Sequence, residues 1–355
     1  MNKVIVIGAG PAGLLCAHEL KKMGISSTIL ESGDSPAQSW LNMPDTLKLG
    51  PWVSTLITKN IPFSKMFTEP TAVDFADHLI DFAASSNFKI IPNQRVTSID
   101  KNDGYFCVRT ESSEVYLSQC VVNATGYFKN PHFPDWVDSN MTCGKIIHYS
   151  GYKNEDKLAK SKFPLSILIV GGGISAGELL MNLINTPHRI TLSTRSKIKF
   201  EKPKWLQLMV SPIYFWLESK IPTFNKFGSS KRYMAGGRTK KIINSDRVRL
   251  IGPIQGVEGK YLRHGSSLEE FDIIFLATGW KSNLKHLNPK LLNSDGDPFV
   301  ENLQSKIWPG IFFLGFDNLL SFKSRFIRGI REDAKHLAVN IQKYLELKKE
   351  IFSKT

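Results

Sequence analysis

Cysteine is scarce: the 355 residues contain only Cys16, Cys107, Cys120 and Cys143, and no two of them form a C-x-x-C pair. That excludes a local redox dithiol of the thioredoxin-reductase kind and leaves no disulfide framework, so a reduced, cytoplasmic protein is expected. Long apolar runs are missing as well. No stretch approaches the ~18 consecutive apolar residues of a membrane span, and the first residues lead into a core-type strand rather than the layout of a signal peptide, so membrane contact is expected to be peripheral at most. Nucleic-acid motifs are also absent: the net charge is +14, but the lysines are spread along the chain as on a solvated surface, and no nucleic-acid partner is expected. No metal centre is read. The apolar share, 42%, suffices for about two to three cored domains at this length.

What the chain does hold is organised around its start. Val4-Ile5-Val6-Ile7 runs into Gly8-Ala9-Gly10-Pro11-Ala12-Gly13, which reads as a buried parallel strand turning on glycines into a helix. In this G-x-G-x-x-G turn Gly8 makes the tight bend, Gly10 lets the backbone approach a pyrophosphate, and Gly13 lets the helix lie close to the strand. The helix N-terminus offers unpaired N–H groups to the anion. A second strand over 27–30 ends in Glu31, 23 residues after Gly8, where a carboxylate can accept from ribose hydroxyls.

The design repeats. Residues 165–170 are apolar and lead into Gly171-Gly172-Gly173-Ile174-Ser175-Ala176, with a further strand over 189–192. With Gly171 laid on Gly8, the position of Glu31 falls on Thr194, and Arg195 stands beside it with Ser193, Ser196 and Lys197. A base in place of an acid suits a 2′-phosphate, hence NADP rather than NAD. Two sites of opposite character make FAD in the first and NADPH in the second the simplest pairing, because hydride passes between them without a protein acid or base.

Between and after the two units, short strand-like pieces are read at 46–49 and 53–57. A helix over 71–85 carries Thr71 as its N-cap and a core stripe of Phe75, Leu79 and Phe82. Strands are read at 89–91 and 94–99, and the alternation over 105–110 and 115–117 suggests a small antiparallel meander. Strands ending in Ala124-Thr125-Gly126 and Ala277-Thr278-Gly279-Trp280 look like the crossings between domains. A strand at 311–314 brings Asp317 to its carboxyl end, and 326–352 is an amphipathic helix. The expected fold class is α/β, with two Rossmann-like dinucleotide-binding domains: 1–155 with 275–355 for FAD, including the meander, and an inserted 156–274 for NADPH. The apolar and basic stretch 202–238 fits a helical pair packed in the second domain, a substrate-channel lid, a homodimer face or a membrane-surface patch.

Assembled, these pieces resemble the two-dinucleotide-binding flavoproteins and, within them, the flavin-containing monooxygenase group of class B flavoprotein monooxygenases. The likeness spans nearly the whole chain and includes 142–152, similar to that group's F-x-G-x-x-x-H-x-x-x-(W/Y/F) signature, with Thr142 in the first place, then Gly144, His148 and Tyr152. The resemblance implies that hydride passes from NADPH to FAD and that a C4a-hydroperoxyflavin then oxygenates an N, S or ketone group of a small molecule with O2. It implies FAD contacts at Gly8, Gly10, Pro11, Ala12, Gly13, Glu31, Ser32, Trp40, Val96, Thr125, Gly126 and Asp317. It implies NADP contacts at Gly171, Gly173, Ser175, Ala176, Ser193, Thr194, Arg195, Thr278 and Gly279. Trp40, Trp52 and His148 are the candidates for roles close to the chemistry, His148 as a linking and positioning residue. Two departures stand out: the segment 47–52 lacks the asparagine that the group places beside the flavin, and Ile174 replaces another. These departures favour the alternative, an NADPH-dependent reductase or oxidase passing electrons to a disulfide, a quinone or an electron carrier.

Overall fold

Four consecutive apolar side chains suit a strand covered on both faces, and β1 (Asn2–Ile7) is one: Val4, Ile5 and Val6 are fully buried, each worth about 1.5–3 kcal/mol on leaving water. The computed structural model describes residues 2–55, 57, 61–102, 104–138, 141–154, 161, 163–200, 234 and 236–352. After β1 come α1 (Pro11–Lys22) and β2 (Ser27–Leu30), which lies parallel to β1. Two short helices follow, α2 (Gln38–Leu41) and α3 (Trp52–Thr55). The second corrects the strand-like reading of 53–57, and the piece read at 46–49 is reduced to one bridge between Lys48 and Thr71. α4 (Ala72–Ser85) begins at Thr71 as expected: the Thr71 hydroxyl accepts from Asp74 N–H, and the Asp74 carboxylate accepts from Thr71 N–H, a reciprocal capping box.

β3 (Lys89–Ile91), β4 (Val96–Asn102) and β5 (Tyr105–Thr110) lead to β6 (Val115–Asn123). The separate strands expected at 115–117 and before Ala124 are this single element: its first half pairs antiparallel with β5, its second half parallel with β1. Then come β7 (Lys145–His148), β8 (Ser166–Val170), α5 (Ile174–Leu183), β9 (Arg189–Ser193), α6 (Arg238–Ile243) and β10 (Val248–Ile251). A meander that carried no clear periodicity follows, β11 (Gly256–Glu258), β12 (Tyr261–His264) and β13 (Ser267–Glu269). The chain closes with β14 (Ile273–Leu276), β15 (Val300–Glu301), β16 (Gln304–Ser305), β17 (Ile311–Phe313) and α7 (Ile327–Phe352).

The first sheet runs β15-β16-β17-β6-β1-β2-β3, with β4 and β5 joined through β6; the second runs β10-β9-β8-β14-β7 and is wholly parallel. Strand pairing therefore draws the second sheet from both sides of the boundaries read at 155 and 275, since β7 precedes the first and β14 straddles the second. The stretch 202–238 lies outside the described residues apart from Met234 and 236–238. Met234 is fully buried against Gly177.

The two connections between the sheets run side by side as a short antiparallel ribbon. Pro131 bridges Trp280, His132 N–H donates to Gly279 O at 2.9 Å, and Lys281 N–H donates to Asn130 O at 3.0 Å. A second tie crosses elsewhere: Lys153 Nζ donates to Leu41 O and Met43 O at 3.1 and 3.0 Å, and Asn182 Nδ2 on α5 donates to Thr46 Oγ1 at 2.8 Å.

Candidate cofactor and active site

The two glycine turns are built alike down to their supports. Gly8 has φ +103°, and a Cβ there would lie 2.7 Å from Ala124 O; Gly171 has φ +140°, and a Cβ would lie 2.4 Å from Ala277 O. Each first glycine is thus pressed against an Ala-Thr-Gly turn, which explains why the two tripeptides recur. Gly13 closes the first unit, with Gly8 O only 1.8 Å from a Cβ built on it. Its counterpart Ala176 is fully buried on α5. Gly10 and Gly173 differ in kind. A Cβ on either meets no atom of the described residues within 4 Å, so nothing among those residues requires glycine there. Both precede a helix whose first N–H groups have no side-chain cap, a cradle that fits an anionic pyrophosphate. Pro11 opens α1 with its fixed φ and no wasted donor, followed by buried Ala12; Ser175 stands half-buried in the first turn of α5.

Glu31 is buried beside the first turn. Its Oε2 accepts from Ala9 N–H at 2.7 Å, and its Oε1 accepts from Gly33 N–H at 2.8 Å, Ser32 Oγ at 3.1 Å and Lys129 Nζ at 3.0 Å. Burial alone would favour the neutral acid. The donors from Ala9, Lys129 and Gly33 outweigh it and hold the carboxyl below its ordinary pKa. Val96, at the start of β4, is brought alongside through Gln94 N–H, which donates to Glu31 O at 2.7 Å.

The first Ala-Thr-Gly turn is fixed by residues that the motif reading passed over. Asn123 Oδ1 accepts from Thr125 N–H and Thr125 Oγ1 at 3.2 and 2.9 Å, so its amide nitrogen faces His286 Nε2 at 3.0 Å, which must accept. His286 is accordingly neutral, and burial lowers its pKa to about 4. Gly126 follows at φ +63°. Gly315, two residues before Asp317, packs against Ala12 at the start of α1. Asp317 itself pairs with Arg325 at 3.0 Å.

At the second site Thr194 abuts the glycine turn, its Cγ2 lying 3.6 Å from a Cβ built on Gly172, and Arg195 is exposed. Ser193 is buried, and its hydroxyl donates to Gly252 O at 2.8 Å, which fastens the end of β9. The Thr278 hydroxyl donates to His132 O. His148 is buried; its Nδ1 accepts from Ser150 N–H at 3.1 Å and its Nε2 donates to Gly279 O at 3.0 Å. Burial lowers its pKa, against the pull of the Gly279 carbonyl. A neutral histidine with both nitrogens engaged by its own surroundings is a brace between β7 and the second Ala-Thr-Gly turn. Gly144 of the same signature is obligatory, since a Cβ there would stand 2.1 Å from Phe271 O.

Trp40 is half-buried and packs edge-on against Phe75 and Phe128. Trp52 packs on the same Phe75; it is buried between Phe75 and His78 and lines a cavity of about 320 Å³ with Ile61, Asp74 and Asp81. One further pair was unforeseen. The Tyr149 hydroxyl donates to Glu178 on α5, and burial pushes the Glu178 carboxyl up to about 7. All four cysteines are buried and unpaired, and burial pushes Cys120 up to about 12 and Cys16 higher still, the setting of inert rather than reactive thiols. Among the described residues no helix is long and apolar enough to cross a membrane.

Comparison with known proteins agrees with this architecture. The chain is 27% identical to an uncharacterised CzcO-like oxidoreductase of Geobacillus kaustophilus, over 95% of this chain and 97% of the relative. It is 27% identical to the indole-3-pyruvate monooxygenase YUCCA1 of Oryza sativa subsp. japonica, over 95% and 90%. In fold it is similar to a flavin-containing monooxygenase from Stenotrophomonas maltophilia, with TM-score 0.80, 19% identity and coverage of 97% and 100%. Residues 5–315 match the family model described as pyridine nucleotide-disulphide oxidoreductase, so the chain belongs to that family, as an oxidoreductase resembling the class B flavoprotein monooxygenases.

Proposed function

We propose that the protein is an FAD- and NADPH-dependent monooxygenase acting on a small molecule with O2. The observation that carries the reading is the pair of glycine turns, each open at the position where a pyrophosphate passes (Gly10, Gly173) and each closed by an Ala-Thr-Gly turn, with a buried carboxylate at one and an exposed arginine at the other. The first site would take FAD, through the N-terminus of α1, Glu31 and Ser32 at the ribose, Val96 nearby, and Thr125, Gly126 and Asp317 along the rest. The second would take NADPH, through the N-terminus of α5 with Ser175, through Arg195 and Thr194 at the 2′-phosphate, and through Thr278 and Gly279. When bound, NADPH supplies hydride and FAD supplies the activation of oxygen.

The chain's own part is to bind, orient and exclude water. Glu31 fixes a ribose while its charge is held by backbone donors. Neutral His148 locks Gly279, and neutral His286, through Asn123, locks Thr125, so each Ala-Thr-Gly turn is held rigidly without a mobile proton close by. Trp40 and Phe128 pack edge-on into an aromatic wall. The rice relative is named for a ketone-bearing acid, which puts ketones ahead of amines and sulfides as the group attacked.

The test is to turn over candidate ketones, amines and sulfides with NADPH under ¹⁸O₂. One labelled oxygen in the product, with NADPH consumed in step and little hydrogen peroxide released, is the expected result. NADPH consumption that yields only peroxide, or that requires an added quinone, disulfide or carrier protein, would replace this reading with the oxidase or reductase alternative. The lack of asparagine at 47–52 favours that alternative; the burial of all four thiols counts against a dithiol route within it.

A further inference from the structure

Trp280 stands at the junction of the two cofactor sites and carries a donor that the protein leaves unused. It follows the second Ala-Thr-Gly turn, and its ring packs edge-on against Phe128 at 5.2 Å, His148 at 5.5 Å and Tyr149 at 6.0 Å. Phe128 comes two residues after the first Ala-Thr-Gly turn and touches Trp40 at 5.5 Å. The indole is thus the aromatic link between the second site and the first. Its Nε1–H is buried and has no hydrogen-bond partner among the described residues. An unpaired buried donor is costly, and such groups are rare unless a ligand completes them.

Strand order says which part of a ligand lies there. In the second sheet β8 is central, with β9 on one side and β14 on the other. A dinucleotide bound at the carboxyl edge of such a sheet sets its pyrophosphate on the β8 turn and extends its two halves over the neighbouring strands. β9 ends at Thr194 and Arg195, the adenosine side. β14 ends at Thr278, Gly279 and Trp280, the opposite side, which is also the side joined to the first domain through Phe128. We propose that Trp280 is an NADP-positioning residue whose indole N–H donates to an oxygen acceptor on the nicotinamide half of the dinucleotide, holding that half toward the first site. This rests on the cofactor reading above and assigns a residue that neither glycine turn contains.

The test uses the FAD-loaded protein with ¹⁵N-labelled indoles, one signal for each of the seven tryptophans, Trp280 being identified by its loss in Trp280→Phe. Titration with NADP⁺ is expected to move the Trp280 signal downfield and to slow its solvent exchange, whereas 2′,5′-ADP, which lacks the nicotinamide half, leaves it in place. Trp280→Phe, which keeps an aromatic ring but no donor, is expected to raise the Kd for NADP⁺ about five- to tenfold with the 2′,5′-ADP affinity and the flavin spectrum unchanged. NADP⁺ binding that leaves the signal unmoved, an equal response to 2′,5′-ADP, or unaltered NADP⁺ affinity in the variant overturns the inference. If the variant loses its flavin, the wild-type titration decides. Failure of the wild-type protein to bind NADP⁺ at all is a separate result, and it overturns the cofactor reading itself.

Discussion

Replacing Glu31 by glutamine isolates the part of the first site that the protein holds ready by itself. The carboxylate is 5% exposed and takes four donors, from Ala9 N–H, Gly33 N–H, Ser32 Oγ and Lys129 Nζ. Glutamine has the same shape but one acceptor oxygen, and its NH₂ must face one set of donors. If the oxygen stays with Gly33 and Ser32, Ala9 N–H is left buried and unpaired, which costs about 1–3 kcal/mol, and the bonds that remain lose their charge assistance. The Lys129 contact adds less, since its side chain is 35% exposed. The sum is about 2–4 kcal/mol, or a fall in Tm of ~4–16 °C for a unit of this size. Differential scanning calorimetry of the FAD-free protein reads it directly, and the same variant is expected to lose FAD on gel filtration.

The pH dependence gives an independent check on Glu31. Its folded pKa lies below the ordinary 4.5, so the unfolded chain takes up the proton first as pH falls. The stabilisation is complete above about 4.5 and is lost as pH drops through the folded pKa. Wild type and Glu31→Gln should therefore differ most at neutral pH and converge in acid. A Tm shift under ~2 °C at pH 7, or a gap that widens on acidification, would refute the account.

Three further outcomes follow from the same geometry. Gly10→Ala meets no atom of the described residues within 4 Å and has negative φ, whereas Gly13→Ala puts a methyl 1.8 Å from Gly8 O; the first should fold with unchanged Tm without FAD yet fail to retain FAD, and the second should be destabilised in either state, both read by melting with and without flavin. Arg195→Ala removes an exposed side chain, so stability should hold while the Kd for NADPH rises about 10- to 150-fold, the worth of a charge-assisted phosphate contact, with NADH unaffected; equal losses for both nucleotides would remove the assignment. His286, with its pKa lowered from 6.5 to about 4, makes the unfolded state the better proton binder in that interval. Stability should therefore fall by up to about 3 kcal/mol as pH drops across it, and His286→Gln, which still offers Asn123 an acceptor, should flatten that slope in pH-resolved denaturation.

Legibility in the sequence followed the range of the interactions. The two strand-turn-helix units could be read because their requirements are local. Gly8 and Gly171 need positive φ, Gly13 must let α1 close on β1, and the acid or base of the next strand falls at a set distance along the chain. The α4 start was equally local, since Thr71 and Asp74 cap each other across three residues. Where partners are remote the reading failed. Residues 53–57 looked like a strand by composition, but Trp52–Thr55 form a turn of helix that buries Trp52 on Phe75 and His78, and nothing within the segment announces those neighbours. Ser193 could be read only by its place beside Arg195; that its hydroxyl donates to Gly252, 59 residues on, depends on how β10 docks.

The Asn123–His286 contact shows why the least legible part of the site is also the part that sets its precision. Asn123 is separated from His286 by 163 residues, and only the folded first domain brings them together. Yet this contact orients the amide that holds Thr125, and Thr125 backs the turn against which Gly8 bends. The second site repeats the logic with a different residue: His148 reaches 131 residues to Gly279 behind the turn that supports Gly171. In both places a histidine kept neutral by burial fixes a tripeptide that fixes a glycine. A charged brace would carry its own field into a site whose sign is set by Glu31 on one side and Arg195 on the other. Neutral braces leave that difference in charge intact.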